Sequence, residues 1–393
     1  MASTDARRLA ETRYAAALAD LAAGGPPVFV RRPHAVTRAA RWFAEHWPGQ
    51  AFYAVKANPE CWVLDAVRAG GVTRFDVASI AEVRAVHARV PSATLAFMHP
   101  VKPEAAIAEA YALGVRIFAL DHEEELAKIA RATGGARDLT LVVRLSVPSG
   151  EAKIPLGAKF GVPLQDAPAL LSATRAKAQR LGLAFHVGSQ QSDIAAWSAA
   201  MAAAERAVVG AGVILDVLDV GGGFCAPYPG MDAPHPASVA SRVAARFEPF
   251  LSTEDSGLWC EPGRAIAAEG ASLLVRVEAR RDDTLHLNDG AYGALYDAGA
   301  LGWRYPVRNL SREGVERPFA FYGPTCDDAD RMDGPFELPG DTRAGDIVEI
   351  GQLGAYGRCM ATGFNGYGRY ADATATDDPF GTIYIQTPQE AAL

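Results

Sequence analysis

The stretch FYAVKANP, residues 52–59, places one lysine inside an apolar run. Phe52, Tyr53, Ala54 and Val55 read as a short buried strand, and Asn58-Pro59 as the turn that ends it. An ammonium group at the end of such a strand has two readings. Either Lys56 snorkels to solvent, as strand-end lysines more often do, or it is a reactive amine on the floor of a pocket, a nucleophile or Schiff-base former. The residues around it decide.

From roughly residue 50 to residue 265, apolar strand-like runs alternate with alanine-rich helical segments. The runs are FYAVK (52–56), RFDV (74–77), LAFMH (95–99), RIFAL (116–120), LVVRL (141–145), LAFHV (183–187), ILDVLDV (214–220) and LWCE (258–261). Between them lie segments such as HEEELAKIARAT, which opens with the acidic first turn of a helix. Eight such units predict a parallel (β/α)8 barrel, with an open doubly wound sheet as the alternative. After about residue 268 the texture becomes β-type: LLVRVEARR, TLHLND, PFAFYGP, DIVEIGQ and TIYIQTP, bounded by Gly, Pro and Asp. The expected division is a barrel over 32–268 and a β-sandwich or barrel-like domain over 269–393, joined by segment 1–31, where PPVFVRR offers a further strand.

A barrel of this kind carries its active site at the C-terminal strand ends. Those ends read Lys56, Asp76, His99, Asp121, Arg144, His186, Gly221-Gly222-Gly223 and Glu261. So many reactive groups at one rim take the weight from the snorkelling reading. In DVGGGF (219–224) three glycines follow the seventh strand, where backbone N–H groups can approach an anion closely; the plain alternative is a tight turn. The pattern matches neither a dinucleotide nor a nucleoside triphosphate loop. Arg264, in EPGRAI, suits bidentate phosphate recognition, and Glu261 suits a protonated ring nitrogen. In FHVGSQ, His186 can stack on a flat cofactor and Ser189 can bond a phosphate. In GPTCDDAD (323–330), Cys326, flanked by a Gly-Pro turn and two acids, looks exposed and suits a proton donor, while Asp327 suits a cationic substrate group.

Bulk properties exclude other classes. The 393 residues are 49% hydrophobic, enough for a large core, and the net charge of −8 without charge blocks gives nucleic acid or anionic membrane no electrostatic partner. Five cysteines in no metal-binding spacing argue against a disulfide framework and a zinc site, so no metal is expected and a reducing compartment is. The N-terminal segment has no apolar signal core or bilayer-spanning run, so the expected location is the cytoplasm.

A reactive lysine, a phosphate cradle, a ring-nitrogen carboxylate and a stacking histidine are the parts that pyridoxal 5′-phosphate requires. YAVKANP, FDVAS, KFGV, FHVGSQ, DVGGGF, EPGR, GPTCDDAD and GAYG…FNGY run in the order found in fold-type III pyridoxal phosphate-dependent amino-acid decarboxylases. Over essentially its whole length the chain resembles their ornithine/lysine decarboxylase branch. The resemblance implies a pyridoxal phosphate-binding (β/α)8 barrel, a β-domain, and a head-to-tail homodimer with shared active sites. It implies that Lys56 carries the cofactor and His186 stacks on it. It further implies that Glu261 holds the ring nitrogen, with Asp76 and Arg144 beside the ring. Ser189, Gly222, Gly223, Arg264 and Tyr356 would hold the phosphate. Cys326 of the partner would be the proton donor, Asp327 would take the substrate's distal amine, and Phe364 would line the pocket. Asp297, in the segment 288–310 that differs from eukaryotic ornithine enzymes, is the expected second ligand for that amine. The expected reaction is decarboxylation of ornithine to putrescine or of lysine to cadaverine. Alternatives are a diaminopimelate- or carboxynorspermidine-type decarboxylase, an amino-acid racemase of the same fold, or a non-catalytic regulator that binds a decarboxylase.

Overall fold

The computed structural model describes residues 14–247, 250 and 257–384. The chain divides into two compact units. One takes residues 40–225 and 233–263; the other takes the chain up to Ala39, residues 226–232 and everything from Arg264 onward. The first strand, β1 (Val28–Arg31), belongs to the second of these.

The next eight strands form a closed parallel barrel in chain order. They are β2 (Gln50–Ala54), β3 (Arg74–Val77), β4 (Thr94–Phe97), β5 (Ile117–Leu120), β6 (Thr140–Arg144), β7 (Arg180–Ala184), β8 (Val217–Asp219) and β9 (Gly257–Cys260). β2 returns to β9 with Gln50 opposite Trp259, which closes the ring. Phe52, Ala96, Met98, Ile117, Val142, Val217 and Trp259 fill the interior, so the barrel is a packed core whose chemistry is confined to its rim. Each of the eight expected runs supplies one strand. Two are displaced. Lys56 lies on a 3-10 turn, Val55–Ala57, just past β2. The sixth barrel strand is Arg180–Ala184, three residues before LAFHV. Its Gly182 reads as a breaker, yet it lies against Val142, whose Cγ2 a Cβ there would meet at 3.0 Å. The helix Ile80–Arg89 opens on a reciprocal cap: Ser79 Oγ accepts from Glu82 N, while Glu82 accepts from Ala78 N at 2.7 Å.

The β-rich unit holds one eight-stranded sheet. Its further strands are β10 (Ala271–Arg281), β11 (Thr284–Leu287), β12 (Val307–Asn309), β13 (Glu316–Tyr322), β14 (Arg331–Pro339), β15 (Ile347–Ile350) and β16 (Ala371–Thr374). The long β10 pairs through its first half with β1 and β15 and through its second half with β11. PPVFVRR does form a strand here, β1. TIYIQTP does not over its described part: Thr382, Ile383 and Tyr384 lie outside any strand, and the rest falls outside the described residues. At the centre Arg32 is buried, donating to Glu349 at 3.0 Å and Ser272 at 2.8 Å. A buried guanidinium needs such compensation. Among the described residues no helix is long and apolar enough to cross a membrane.

Candidate active site

At the barrel rim, Lys56 Nζ pairs with Asp76 Oδ2 at 3.0 Å. The lysine is not the desolvated amine expected on a pocket floor. Its side chain is half exposed, and its charge is met by the buried carboxylate of the neighbouring strand. Arg144, last residue of β6, lies 5.6 Å from the Phe160 ring, and His99 meets the same ring edge-on at 5.0 Å. Asp121 accepts from Gly161 N at 2.8 Å, which ties the KFGV loop to the end of β5. A second lysine, Lys102, is buried above β4 and β5, 2.9 Å from Glu125 and donating to the carbonyls of His99 and Ala119. Burial pushes it down to about 8 against the pull of Glu125.

His186 lies two residues past β7 and accepts from Gly188 N on Nδ1 at 3.0 Å. Burial, with Arg144 and Lys56 adding to it, holds the imidazole well below its ordinary pKa. The ring is therefore neutral near pH 7, with its proton on Nε2. The glycines after β8 lie beside it. A Cβ on Gly222 would meet the Glu261 carbonyl at 2.8 Å and His186 Nε2 at 2.9 Å; one on Gly223, at φ +103°, would meet the Gly188 carbonyl at 2.7 Å. No side chain fits at either position, so the loop after β8 is restricted to glycine there. Ser189 is anchored by its backbone to Ile154 at 2.9 and 3.3 Å. Burial raises Glu261 well above the carboxylate range, and neighbouring Asp219 and Asp76 raise it further; burial lifts Asp219 itself to about 7. The rim thus holds a proton between two carboxyls near neutral pH. Asp219 escaped the sequence reading, although its place as the last residue of β8 before the glycines is the signal for it.

In the β-rich unit, Arg264 and Asp297 form one buried ion pair at 2.9 Å. The sequence reading assigned these two residues to separate tasks, phosphate and substrate amine. Tyr228 accepts from the same guanidinium at 3.1 Å, and the Trp303 and Tyr356 rings lie 4.3 and 4.5 Å from its carbon. Arg264 Nε is buried and makes no hydrogen bond to any described residue. Elsewhere in this unit, Cys326 and Asp327 sit exposed on the loop between β13 and β14. Asn365 accepts from Cys326 N at 3.1 Å. Tyr292, not singled out from sequence, donates to Asp327 Oδ2 at 2.6 Å and packs its ring 5.1 Å from that of Phe364.

These groups fit a pyridoxal phosphate. The barrel rim provides an amine for its aldehyde, a proton-holding carboxyl for its ring nitrogen, a neutral imidazole for its face and a glycine cradle for its phosphate. Separately, in the β-rich unit, Arg264 Nε is a buried donor with no acceptor among the described residues. Comparison with known families agrees: the family described as pyridoxal-dependent decarboxylase, pyridoxal binding domain, matches residues 33–268. The chain belongs to the pyridoxal-dependent decarboxylases. This decarboxylase is 33% identical over 325 residues to the lysine/ornithine decarboxylase of Selenomonas ruminantium, covering 80% of this chain and 81% of the relative. It superposes with a TM-score of 0.77 on the lysine/ornithine decarboxylase of Vibrio vulnificus solved with cadaverine, at 29% identity, covering 91% of this chain and 97% of that one. The Paramecium bursaria Chlorella virus arginine decarboxylase bound to agmatine gives a TM-score of 0.78 at 26% identity, covering 89% and 97%. The decarboxylase is thus a pyridoxal phosphate-dependent carbon–carbon lyase of fold type III.

Proposed function

We propose that the enzyme decarboxylates a basic amino acid with a terminal amine, L-ornithine to putrescine first and L-lysine to cadaverine second. The observation that carries this reading is Asp327, an exposed carboxylate beside the Cys326 thiol, with Phe364 and Tyr292 packed together near it. A carboxylate there suits a terminal ammonium, a partner that an uncharged side chain cannot supply. The names of the Selenomonas and Vibrio relatives, and a second Vibrio structure solved with putrescine, support the same class.

In this reading Lys56 binds the cofactor covalently, with Asp76 as its charge partner and Arg144 beside the ring. Ser189, Gly222, Gly223, Arg264 and Tyr356 bind the phosphate. His186 presents a neutral plate to the ring face, and Glu261 holds a proton at its carboxyl for the ring nitrogen. Bound pyridoxal phosphate supplies an electron sink for the pair released as CO2 leaves. Cys326 Sγ–H delivers the proton to the substrate's Cα, Asp327 orients the distal ammonium and Phe364 walls the pocket. Asp297 is the second acid of the pocket, shared with Arg264.

The reading includes a head-to-tail homodimer, with Cys326 and Asp327 serving the partner's barrel. The exposure of Tyr296, Leu301, Met360, Phe364 and Tyr367, each at least 40%, supports a covering partner on this unit. All five cysteines are unpaired, which supports a reducing compartment such as the cytoplasm. The deciding experiment incubates the purified protein with pyridoxal phosphate and a panel of L- and D-ornithine, lysine, arginine, diaminopimelate and leucine, with products identified by mass. Diamine from L-ornithine or L-lysine is expected. Leucine turned over as well as ornithine, or no cofactor binding, overturns the proposal.

A further inference from the structure

We propose that Tyr292 is a positioning residue for substrate selection: its phenol fixes the Asp327 carboxylate in the orientation that receives the substrate's distal ammonium. This rests on the reading of Asp327 above and extends it.

Asp327 lies on an exposed loop, where a carboxylate is ordinarily free to rotate. Here both oxygens are engaged. Oδ2 accepts from Tyr292 Oη at 2.6 Å, and Oδ1 accepts from Ala329 N at 3.0 Å. Each oxygen keeps a lone pair for a further donor. The Ala329 contact is local to the loop, so the Tyr292 contact is what relates Asp327 to the rest of the unit.

Tyr292 is itself well held. Its carbonyl accepts from Thr362 N at 2.8 Å and from Thr362 Oγ1 at 3.1 Å, and its ring packs on Phe364. The preceding residue donates from Ala291 N to Asp330 Oδ1 at 2.7 Å. The other Asp330 oxygen accepts from Thr325 N at 3.0 Å and Thr325 Oγ1 at 2.8 Å, next to Cys326. Asp330 is buried and locks the tyrosine's segment to the thiol's loop. The phenol therefore reaches Asp327 from a framework that also holds Cys326.

The chemistry of the donor matters. A lysine or arginine in this position would orient the carboxylate and compete with the substrate for its charge. A phenol orients it and leaves the charge for the substrate. The hydrogen bond also holds the Asp327 carboxyl below its ordinary pKa and the Tyr292 phenol above its own, so the acceptor is ionised when the ammonium arrives.

The test is a double-mutant cycle in the pyridoxal phosphate-loaded enzyme with Tyr292→Phe and Asp327→Asn. Tyr292→Phe keeps the ring on Phe364 and removes only the O–H. The expected result is a rise of about five- to tenfold in the KM for ornithine and in the Ki for putrescine, the effect of losing one charge-assisted hydrogen bond at an exposed site. In Tyr292→Phe, kcat, cofactor affinity and melting temperature stay at wild-type values. Asp327→Asn raises KM further, and adding Tyr292→Phe to it has no additional effect. If Asp327→Asn raises KM and Tyr292→Phe does not, the positioning role is wrong and the ligand role of Asp327 stands. If Asp327→Asn leaves KM unchanged, the ligand reading fails and the positioning role falls with it. Additive effects in the double variant overturn the coupling as well.

Discussion

Lys56 and Asp76 face each other at 3.0 Å across a step in solvent exposure, from 42% for the lysine side chain to 2% for the acid. The asymmetry predicts unequal costs. Asp76→Asn leaves an ammonium that water can solvate, at a cost below about 1 kcal/mol. Lys56→Ala leaves a buried carboxylate without its cation, which costs roughly 1–3 kcal/mol. Urea unfolding of the cofactor-free variants checks the order; equal midpoints would show that burial does not organise the pair. In the loaded enzyme, borohydride reduction should fix the cofactor on the peptide containing Lys56, and Lys56→Ala should abolish that adduct.

The glycine cradle predicts a loss of binding without loss of fold. A methyl at 222 strikes the Glu261 carbonyl and the His186 ring; Glu261 is held by its N–H on the Gly221 carbonyl and the ring by Gly188 N. Gly222→Ala should weaken pyridoxal phosphate binding at least about tenfold in an absorbance titration, the scale of one lost charge-assisted contact. Its circular dichroism spectrum should match that of wild type. Undiminished affinity would mean that the cradle is an ordinary turn.

Lys102 supplies the pH dependence. Its ammonium titrates near 8 in the fold, against about 10.4 in an unfolded chain. Between those values the unfolded chain binds more protons, so stability rises with pH across this window. Lys102→Met lacks the titration. The stability of wild type relative to that variant should therefore increase from pH 7.5 to pH 10, by at most roughly 3 kcal/mol. A flat difference would show that Glu125 fully compensates the burial.

The proposed shared-site dimer predicts complementation. Lys56 belongs to the barrel and Cys326 to the β-rich unit, so a two-fold pairing makes two composite sites. In a mixed dimer of Lys56→Ala and Cys326→Ala, one site carries both defects and the other carries neither. Equal random mixing makes about half the dimers mixed, so activity should recover to about a quarter of wild type. Subunit exchange without recovery would place both residues in one site of one chain.

Most of the barrel was legible because each strand is a short apolar run ending in a polar group, and each helix is longer and amphipathic. What hid was governed by contacts distant in sequence. RLGLA carries a glycine that propensity reads as a breaker, and only packing under Val142 makes it strand. RMDGPFELP hid β14 behind Gly334-Pro335, although its buried Met332, Phe336 and Leu338 face the core opposite β13. TIYIQTP has strand composition, and no described pairing takes up its first residues. In the site, groups that could hold a cofactor or an ammonium were legible by residue type and position. Their pairings were not: Asp297 meets Arg264 from 33 positions away, and Tyr292 reaches Asp327 across 35.

The triplet at 221–223 refuses a side chain three times over: against the Phe185 carbonyl, against Glu261 and His186, and against the Gly188 carbonyl. A lineage carrying it has almost no single-step variants to explore there, whatever amino acid its environment supplies. Residues 326–329 around Asp327 are exposed, so side chains there can change at small cost to folding while buried Asp330 keeps the loop in place. On the proposed assignment of these two sites, the appetite of such an enzyme can shift from one amino acid to another under selection while the cofactor machinery is inherited unchanged.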